Sequence, residues 1–469
     1  MIALWVLVVL VFTGWRALGL AGLSPRGDRL AFAGWAIAAG LLMHGALLFA
    51  MGWGFPGSLR PLPITLAQGA LVLALGLLGR RRARGEVRVL AADSSRPCGR
   101  GEVLFRVAVG LAVGLLVLRA VVGDLTPALT GDEGMLWGLK ARAIASAGGL
   151  GDDYLALLSR PVMRHGDYPL LNPLLQAWVL SIGDGGALLL RLPMQLGALG
   201  LVLSFAAALR RVAGPALAAA LVLAFAASPV TALAARTAGA EGLVALGLVI
   251  AVDALGRFER DPRGSLLGIA AMGLALAVFT KNDASLFVLA ILAGAFVRGL
   301  QFAPARPRLR SWAWLALPAA FIAAGFIFNA RAGFANDLTH GKGDGAGLFA
   351  RLGAQGLEYL PTTAEYFARH LFLAPRFDAY VLLLLAAALL VTGSRALAGH
   401  LPDAARLGRA LVPAAAFALS LAGLFLIYLA TPQPLEWHLD SSCVRVAWQV
   451  LPLASLALAT LLSDLRPTP

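Results

Sequence analysis

The sequence predicts an all-α integral membrane protein. We expect a polytopic helix bundle of about thirteen transmembrane helices, with interfacial helices in the first large outer loop. Three observations lead there. Of 469 residues, 59% are hydrophobic and only 14% charged, whereas soluble domains are roughly a quarter charged. Apolar runs such as IALWVLVVLVF, LGALGLVLSFAAAL and FALSLAGLFLIYLA recur along the whole chain. Arginines gather in the short connections between these runs, as the positive-inside rule expects. That pattern accounts for the net charge of +14 with a lipid bilayer as partner and no nucleic acid. The short alternating segments of a β-barrel are absent from the sequence.

The first three spans read as 3–22, 30–52 and 61–79, each near the ~20 residues a bilayer requires. Met1–Leu23 has no basic stretch ahead of its apolar run, so it reads as a first span and not as a cleaved leader. Next comes RRRARGEVRVLAADSSRPCGRGEVLFR, residues 80–106, whose eight arginines place it on the cytoplasmic side. This divides the chain into a three-helix accessory module at 1–80, a basic cytoplasmic loop at 81–102 and a core at 103–463. Ten further spans alternate across the membrane: 103–122, 186–209, 214–234, 241–256, 265–280, 284–298, 312–330, 378–394, 410–430 and 446–463. The apolar segment NPLLQAWVLSIGD after Asn172 is too short to cross. With Asn172 as a cap and Pro173 at the first helical position, it reads as an interfacial helix lying on the outer surface.

This topology leaves outer loops at 123–185, 331–377 and 431–445. All six tyrosines fall on the outer side, and most acids do as well. Cys98 and Cys443 fall on opposite faces, which precludes a disulfide between them. The dominance of Ala, Leu, Gly and Arg points to a bacterial source.

The outer segments carry the chemistry. In GDEGMLWGLKARA, Asp132 and Glu133 suit the first turn of a helix. Helical spacing then puts Glu133, Trp137, Lys140 and Ile144 on one stripe, with Met135, Leu139 and Ala143 on a bilayer-facing side. A solvated amphipathic loop helix explains these residues about equally well. In MRHGDYPLLNP, His165 and Asp167 flank a turn, and Tyr168 precedes a proline and is held extended. ARTAGAEG brings Arg236 and Glu241 to the lip of a span, where a carboxylate is costly unless it faces water or a partner. FTKNDAS sets Lys281 and Asp283 at a tight hairpin, and LEWHLDSSCVR sets Glu436, His438, Asp440 and Arg445 before the last span. Only three of the 39 basic residues are lysines, Lys140, Lys281 and Lys342, and all lie in outer loops. A lysine offers a compact point charge where arginine offers a planar fork. Phosphate-loop, HExxH, CxxC and GxSxG motifs are absent from the sequence. Arg16 and His44 are the main intramembrane charges, fewer than an ion-coupled transporter would carry.

In their order and sidedness these segments resemble the polyprenyl-phosphate-sugar-dependent glycosyltransferases of the GT-C superfamily. The resemblance covers about 103–463, and it is to the branch that holds protein O-mannosyltransferases and lipid A aminoarabinose transferases. It is carried by Asp132-Glu133, by HGDYPLLNP, by Glu241 in AGAEG and by Lys281 in FTKND. The chain departs from the aminoarabinose-transferase pattern by lacking a large C-terminal outer domain and by reading KND where that pattern reads KG.

The resemblance implies a site facing the periplasm of a bacterial inner membrane. There a sugar passes, with inversion, from a lipid-linked donor to a glycan, lipid or protein acceptor. Asp132 is then the general base, with Glu133 as its substitute or support. Lys281, Arg445 and Arg236 are candidates to bind the leaving phosphate. Trp137, Lys140, His165, Tyr168, Glu241, Asp283 and His438 line the substrate, with Trp137, Tyr168 and Trp437 as sugar-stacking candidates. No cofactor is assigned. A divalent metal stays open, and His165, Glu241, His438 and Asp440 are the ligands it would use. The competing class is a flippase, transporter or scaffold for a lipid-linked glycan.

Overall fold

The computed structural model describes residues 2–25, 27–82, 88–89, 99–125, 131–159, 165–183, 187–302, 313–334, 347–373 and 404–462. The expected span at 378–394, Cys98 and Lys342 lie outside them. The described chain is all-α apart from one short parallel pairing of Leu23–Ser24 with Arg88–Val89.

Four long helices come first: α1 (Ile2–Leu20), α2 (Arg29–Gly54), α3 (Pro61–Arg82) and α4 (Arg100–Asp124). Then come a π-helical turn at Glu133–Gly138 and three short helices, α5 (Leu139–Ala147), α6 (Asp152–Leu158) and α7 (Leu171–Ile182). The bundle continues through α8 (Ala187–Val212), α9 (Pro215–Ala227), α10 (Pro229–Arg236), α11 (Glu241–Phe258), α12 (Gly264–Thr280), α13 (Ala284–Phe302) and α14 (Ala316–Ala332). It closes with α15 (Leu348–Phe367), α16 (Ala404–Leu429), α17 (Leu435–His438), α18 (Val444–Trp448) and α19 (Leu451–Leu462). A π-helical turn, Leu439–Cys443, joins α17 to α18.

Among the described residues, seven helices are long and apolar enough to cross a membrane, or up to nine if each of two bent pairs is one span. The seven match the expected spans at α1–α4, α8, α14 and α16. The bent pairs correct two others. The run expected as one span at 214–234 turns by 62° between α9 and α10. The cause is local: Ser228 accepts a hydrogen bond from the Thr231 backbone N–H at 3.2 Å, and Pro229 follows at the first helical position. Together they begin a new helix. The C-terminal span expected from 446 belongs to a helical run that already starts at Leu435 and bends by 41° before α19. The remaining expected spans among the described residues form α11 and α12, packed inside the bundle, and α13, which exposes Leu289 and Phe296.

The segment after Asn172 is indeed a short helix, α7, but it does not lie on a surface. Leu171, Asn172, Leu174, Leu175 and Val179 are wholly or almost wholly buried. Nor does Asn172 cap it, since Leu170 holds that position. The Asn172 amide instead donates to the Ala238 carbonyl at 3.0 Å and accepts from Gln176 at 2.6 Å. A buried amide thus ties α7 to the turn before α11.

Nor is α2 set beside the core. Trp35 and His44 have no exposed surface, and the His44 ring stacks on Trp178 of α7 at 5.5 Å. At the foot of α2, Asp28 caps the helix through the Ala31 N–H and also pairs with Arg257 of α11. Arg257 and Arg211 together hold Asp253, which is fully buried, at 2.9 and 2.7 Å.

α11 and α12 cross at close range. A Cβ on Gly247 would stand 2.4 Å from the Gly273 carbonyl oxygen, and one on Gly273 would stand 2.4 Å from that of Gly247. Backbones this close admit only glycine, as small-residue crossings do between apolar helices.

Candidate functional site

At the end of α11 opposite Arg257, five charged side chains form a chain of contacts. Arg445 of α18 donates to Asp132 at 2.7 Å and to Glu241 at 3.2 Å. Glu241 lies 3.6 Å from Lys281, and Lys281 lies 3.2 Å from Asp283. Local structure supports each placement. Glu241 is the first residue of α11 and Lys281 caps the C-terminus of α12, so both charges complement helix dipoles. Arg445 is held by the Ser441 carbonyl, which accepts from its Nε at 3.1 Å and its Nη2 at 2.8 Å. Lys281 is almost fully buried. Burial alone pushes its ammonium down, but Asp283 and Glu241 outweigh that and leave its pKa raised.

A half-open cavity of about 370 Å³ lies against this chain. Asp132, Thr237, Glu241, Ser441 and Arg445 give it a polar wall, while Val230, Leu233, Ala234 and Trp448 give it an apolar one. The bend between α9 and α10 shapes the apolar wall. Arg119 of α4 donates to the Ala226 and Ala227 carbonyls at the end of α9. Trp448 donates to Thr231 at 3.1 Å and stacks on Phe225 at 5.6 Å. The two bent helix pairs therefore meet at the cavity.

Asp132 and Glu133 are neighbours with opposite surroundings. Gly131 enters the segment at φ +54°, a left-handed conformation that suits glycine. Beyond it the Asp132 side chain is 52% exposed and that of Glu133 only 3%. The Glu133 carboxylate takes both prongs of Arg191 from α8, Nε on Oε1 and, at 3.1 Å, Nη2 on Oε2. Oε1 also accepts from the Ala238 N–H at 2.8 Å. Glu133 thus fastens its turn to α8 and to the turn before α11, whereas Asp132 faces the cavity. The expected stripe of Glu133, Trp137, Lys140 and Ile144 is buried together, and Met135 is exposed. Ala143, expected on the bilayer side, is buried instead.

The other expected residues fall around this centre. Tyr168 stacks on His165 at 4.8 Å and lies 5.7 Å from Trp137. Trp137 is 1% exposed, so it supports Tyr168 and offers no face to a sugar. Lys140 is equally buried. Its ammonium donates to the His165 carbonyl and sits 5.6 Å from the Tyr168 ring. Burial is the larger influence on Lys140 and pulls its pKa down to about 7 against an upward pull from Asp167. Burial drives the Tyr168 hydroxyl the opposite way, well above its ordinary value, and the carboxylates of Asp283, Asp167 and Asp132 add to the rise. Asp167 anchors the turn by accepting from Asn282 at 2.8 Å and, through its carbonyl, from Asn329 at 2.9 Å.

His438 is bonded to Thr431 at 2.6 Å and stands 4.8 Å from the Tyr428 ring, so it supports the α17 turn and does not line the cavity. Arg236 ends α10, whose other face lines the cavity, and is itself exposed. The four metal ligands held open do not converge: among the described residues, no three His, Cys, Asp or Glu side chains are grouped to hold an ion.

Sequence reasoning missed Arg191, which falls inside the span expected at 186–209. Its signal was an arginine beside an apolar run with an unpaired acid elsewhere in the same outer segment. It also missed Trp448 and Ser228, although Ser-Pro is itself a helix-start signal. Compared with protein-family models, with curated proteins and with solved structures, the chain finds no match.

Proposed function

We propose that the chain is a membrane glycosyltransferase of the GT-C type, with about thirteen crossings. In this topology α11, α12 and α13 cross in addition to the seven to nine helices that qualify by length and composition. Arg445, Lys281 and the cavity then face the periplasm of a bacterial inner membrane. The donor is a polyprenyl-phosphate sugar.

The observation that carries this reading is the position of Asp132. It is a largely exposed carboxylate on the lip of a cavity with one polar and one apolar wall, and it lies 2.7 Å from a guanidinium. Asp132 Oδ2 is bound to Arg445. As general base, Asp132 takes the proton of an acceptor hydroxyl or amine while that atom attacks the anomeric carbon. The bond from that carbon to the phosphate oxygen breaks, and the configuration inverts. Arg445 and Lys281 stabilise the charge that develops on the departing lipid phosphate. Glu241 lies between the two cations and bridges them. The apolar wall of Val230, Leu233, Ala234 and Trp448 suits the first isoprene units.

The test pairs wild type with Asp132→Asn, both purified and incubated with radiolabelled polyprenyl-phosphate sugars and a membrane extract. Transfer by wild type and not by the variant is expected. Transfer undiminished in a folded Asp132→Asn protein would remove Asp132 as base. Donor bound equally by both proteins, with no turnover across a broad sugar panel, would move the function to a flippase or transporter of the same lipid.

A further inference from the structure

Trp437, Ser441 and Arg445 follow one another at four-residue intervals along the run from α17 to α18, so they share one stripe. Ser441 and Arg445 line the cavity, which places Trp437 one turn beyond it, about 6 Å along the helix. Trp437 is 51% exposed. Asp440, also exposed, accepts a hydrogen bond from the Tyr366 hydroxyl of α15 at 3.0 Å, and the Tyr366 ring stacks on His370 at 4.0 Å. The ledge is braced from beneath. Gln355 of α15 donates to the Thr431 carbonyl at 2.8 Å, and Tyr428 bonds Ser442 at 2.8 Å.

An exposed tryptophan in an apolar bundle is often a bilayer anchor. Trp5 and Trp15 fit that description, since each projects from the apolar α1. Trp437 does not, because the exposed carboxylates of Glu436 and Asp440 flank it on the same short run. Carboxylates are costly against hydrocarbon and at ease in water. An aromatic face beside acceptor-only carboxylates matches a pyranose ring, whose apolar C–H face stacks while its hydroxyls donate. Among the described residues neither carboxylate forms an ion pair, so the two would repel a uronic acid or another anionic sugar.

Resting on the transfer proposed above, we infer that Trp437, Tyr366, His370 and Asp440 bind the acceptor as a neutral oligosaccharide, holding the ring next to the one that reacts in the cavity. Length matters in this arrangement: a monosaccharide fills the cavity and leaves the ledge empty.

The test uses the full chain in lipid nanodiscs, with cellotriose, maltotriose and chitotriose as neutral probes and trigalacturonate as the anionic one. Binding is followed by tryptophan fluorescence and by saturation-transfer NMR. At least one neutral trisaccharide should bind, at least tenfold more tightly than its monosaccharide, and trigalacturonate should not. Trp437→Ala should weaken that binding about tenfold or more, Trp437→Phe should retain most of it, and Asp440→Asn should weaken it severalfold. Failure of all three neutral probes, or full binding by Trp437→Ala, would overturn the ledge. Because binding is read without the donor, the two readings fail separately. A ledge that binds sugar in a protein without turnover removes the transferase reading alone. Turnover whose acceptor KM is unchanged in Trp437→Ala removes the ledge alone.

Discussion

α11 carries a charged cluster at each end, and the two are built differently. At the Arg257 end, Asp28 and Asp253 face Arg211 and Arg257, two acids against two bases. Asp253 is fully buried, and the Arg257 guanidinium packs 5.3 Å from the Trp35 ring. At the Glu241 end, three carboxylates, Asp132, Glu241 and Asp283, face two cations, Arg445 and Lys281. That cluster opens onto a cavity. About 18 Å of helix separates Glu241 from Asp253. A closed cluster with balanced charge holds α2, α8 and α11 together and has nothing left to offer a ligand. An open cluster with one carboxylate more than its cations presents that excess charge to the cavity.

Several measurements would break or sharpen this contrast. Asp253→Ala should have the largest effect on stability, because it takes from the buried Arg257 and the partly buried Arg211 the carboxylate they share. A loss of about 3–5 kcal/mol is expected for removing one partner of a buried pair, read as a lower midpoint in thermal unfolding. An unchanged midpoint would mean that the closed cluster holds nothing. Asp132→Asn should do the reverse. Its thermal midpoint should stay near that of wild type, while the proposed sugar transfer falls by about 10²–10⁴-fold, the usual contribution of a general base.

Lys140 lies between these extremes. Its pKa in the folded chain is about 7 against an ordinary 10.5, so between those values the unfolded chain holds a proton that the folded chain lacks. Stability should therefore rise with pH across that window, and the full cost of burying the charge should apply below pH 7. Lys140→Met should flatten the rise in a series of thermal midpoints from pH 6 to 10. A slope equal to that of wild type would place the titration elsewhere. Trp448→Phe should have the smallest effect. It keeps the stack on Phe225 and gives up one hydrogen bond to Thr231, worth about 0.5–1.5 kcal/mol, visible as a slight fall in the midpoint.

Much of the open cluster was legible beforehand because its members are costly where they lie. Glu241 at the lip of an apolar run, Lys281 in a tight hairpin and Arg445 before the last run each required a partner, and they partner one another. The closed cluster was less legible. Asp253 sits inside an apolar run and is satisfied by arginines 42 and 4 residues away along the chain, a pairing that hydropathy does not encode. The division of labour between Asp132 and Glu133 was hidden for the same reason, since Arg191 approaches from 58 residues away. The bend at Ser228–Pro229 escaped because a hydropathy window averages over a turn without recording backbone direction. The burial of α7 escaped because a short apolar helix has the same composition on a surface and in a core.

The reciprocal contact of Gly247 with Gly273 makes the crossing of α11 and α12 a vernier. The two helices run in opposite directions, and Glu241 and Lys281 sit six and eight residues from the contact on the same side of it. A slip by one helical turn would move one helix by about 5.4 Å along the other, more than the 3.6 Å that separates the carboxylate from the ammonium. The tolerance of the charged site is therefore set by two hydrogen atoms in the middle of the bundle, remote from the cavity. A single methyl group added there would be felt as a misalignment of charge.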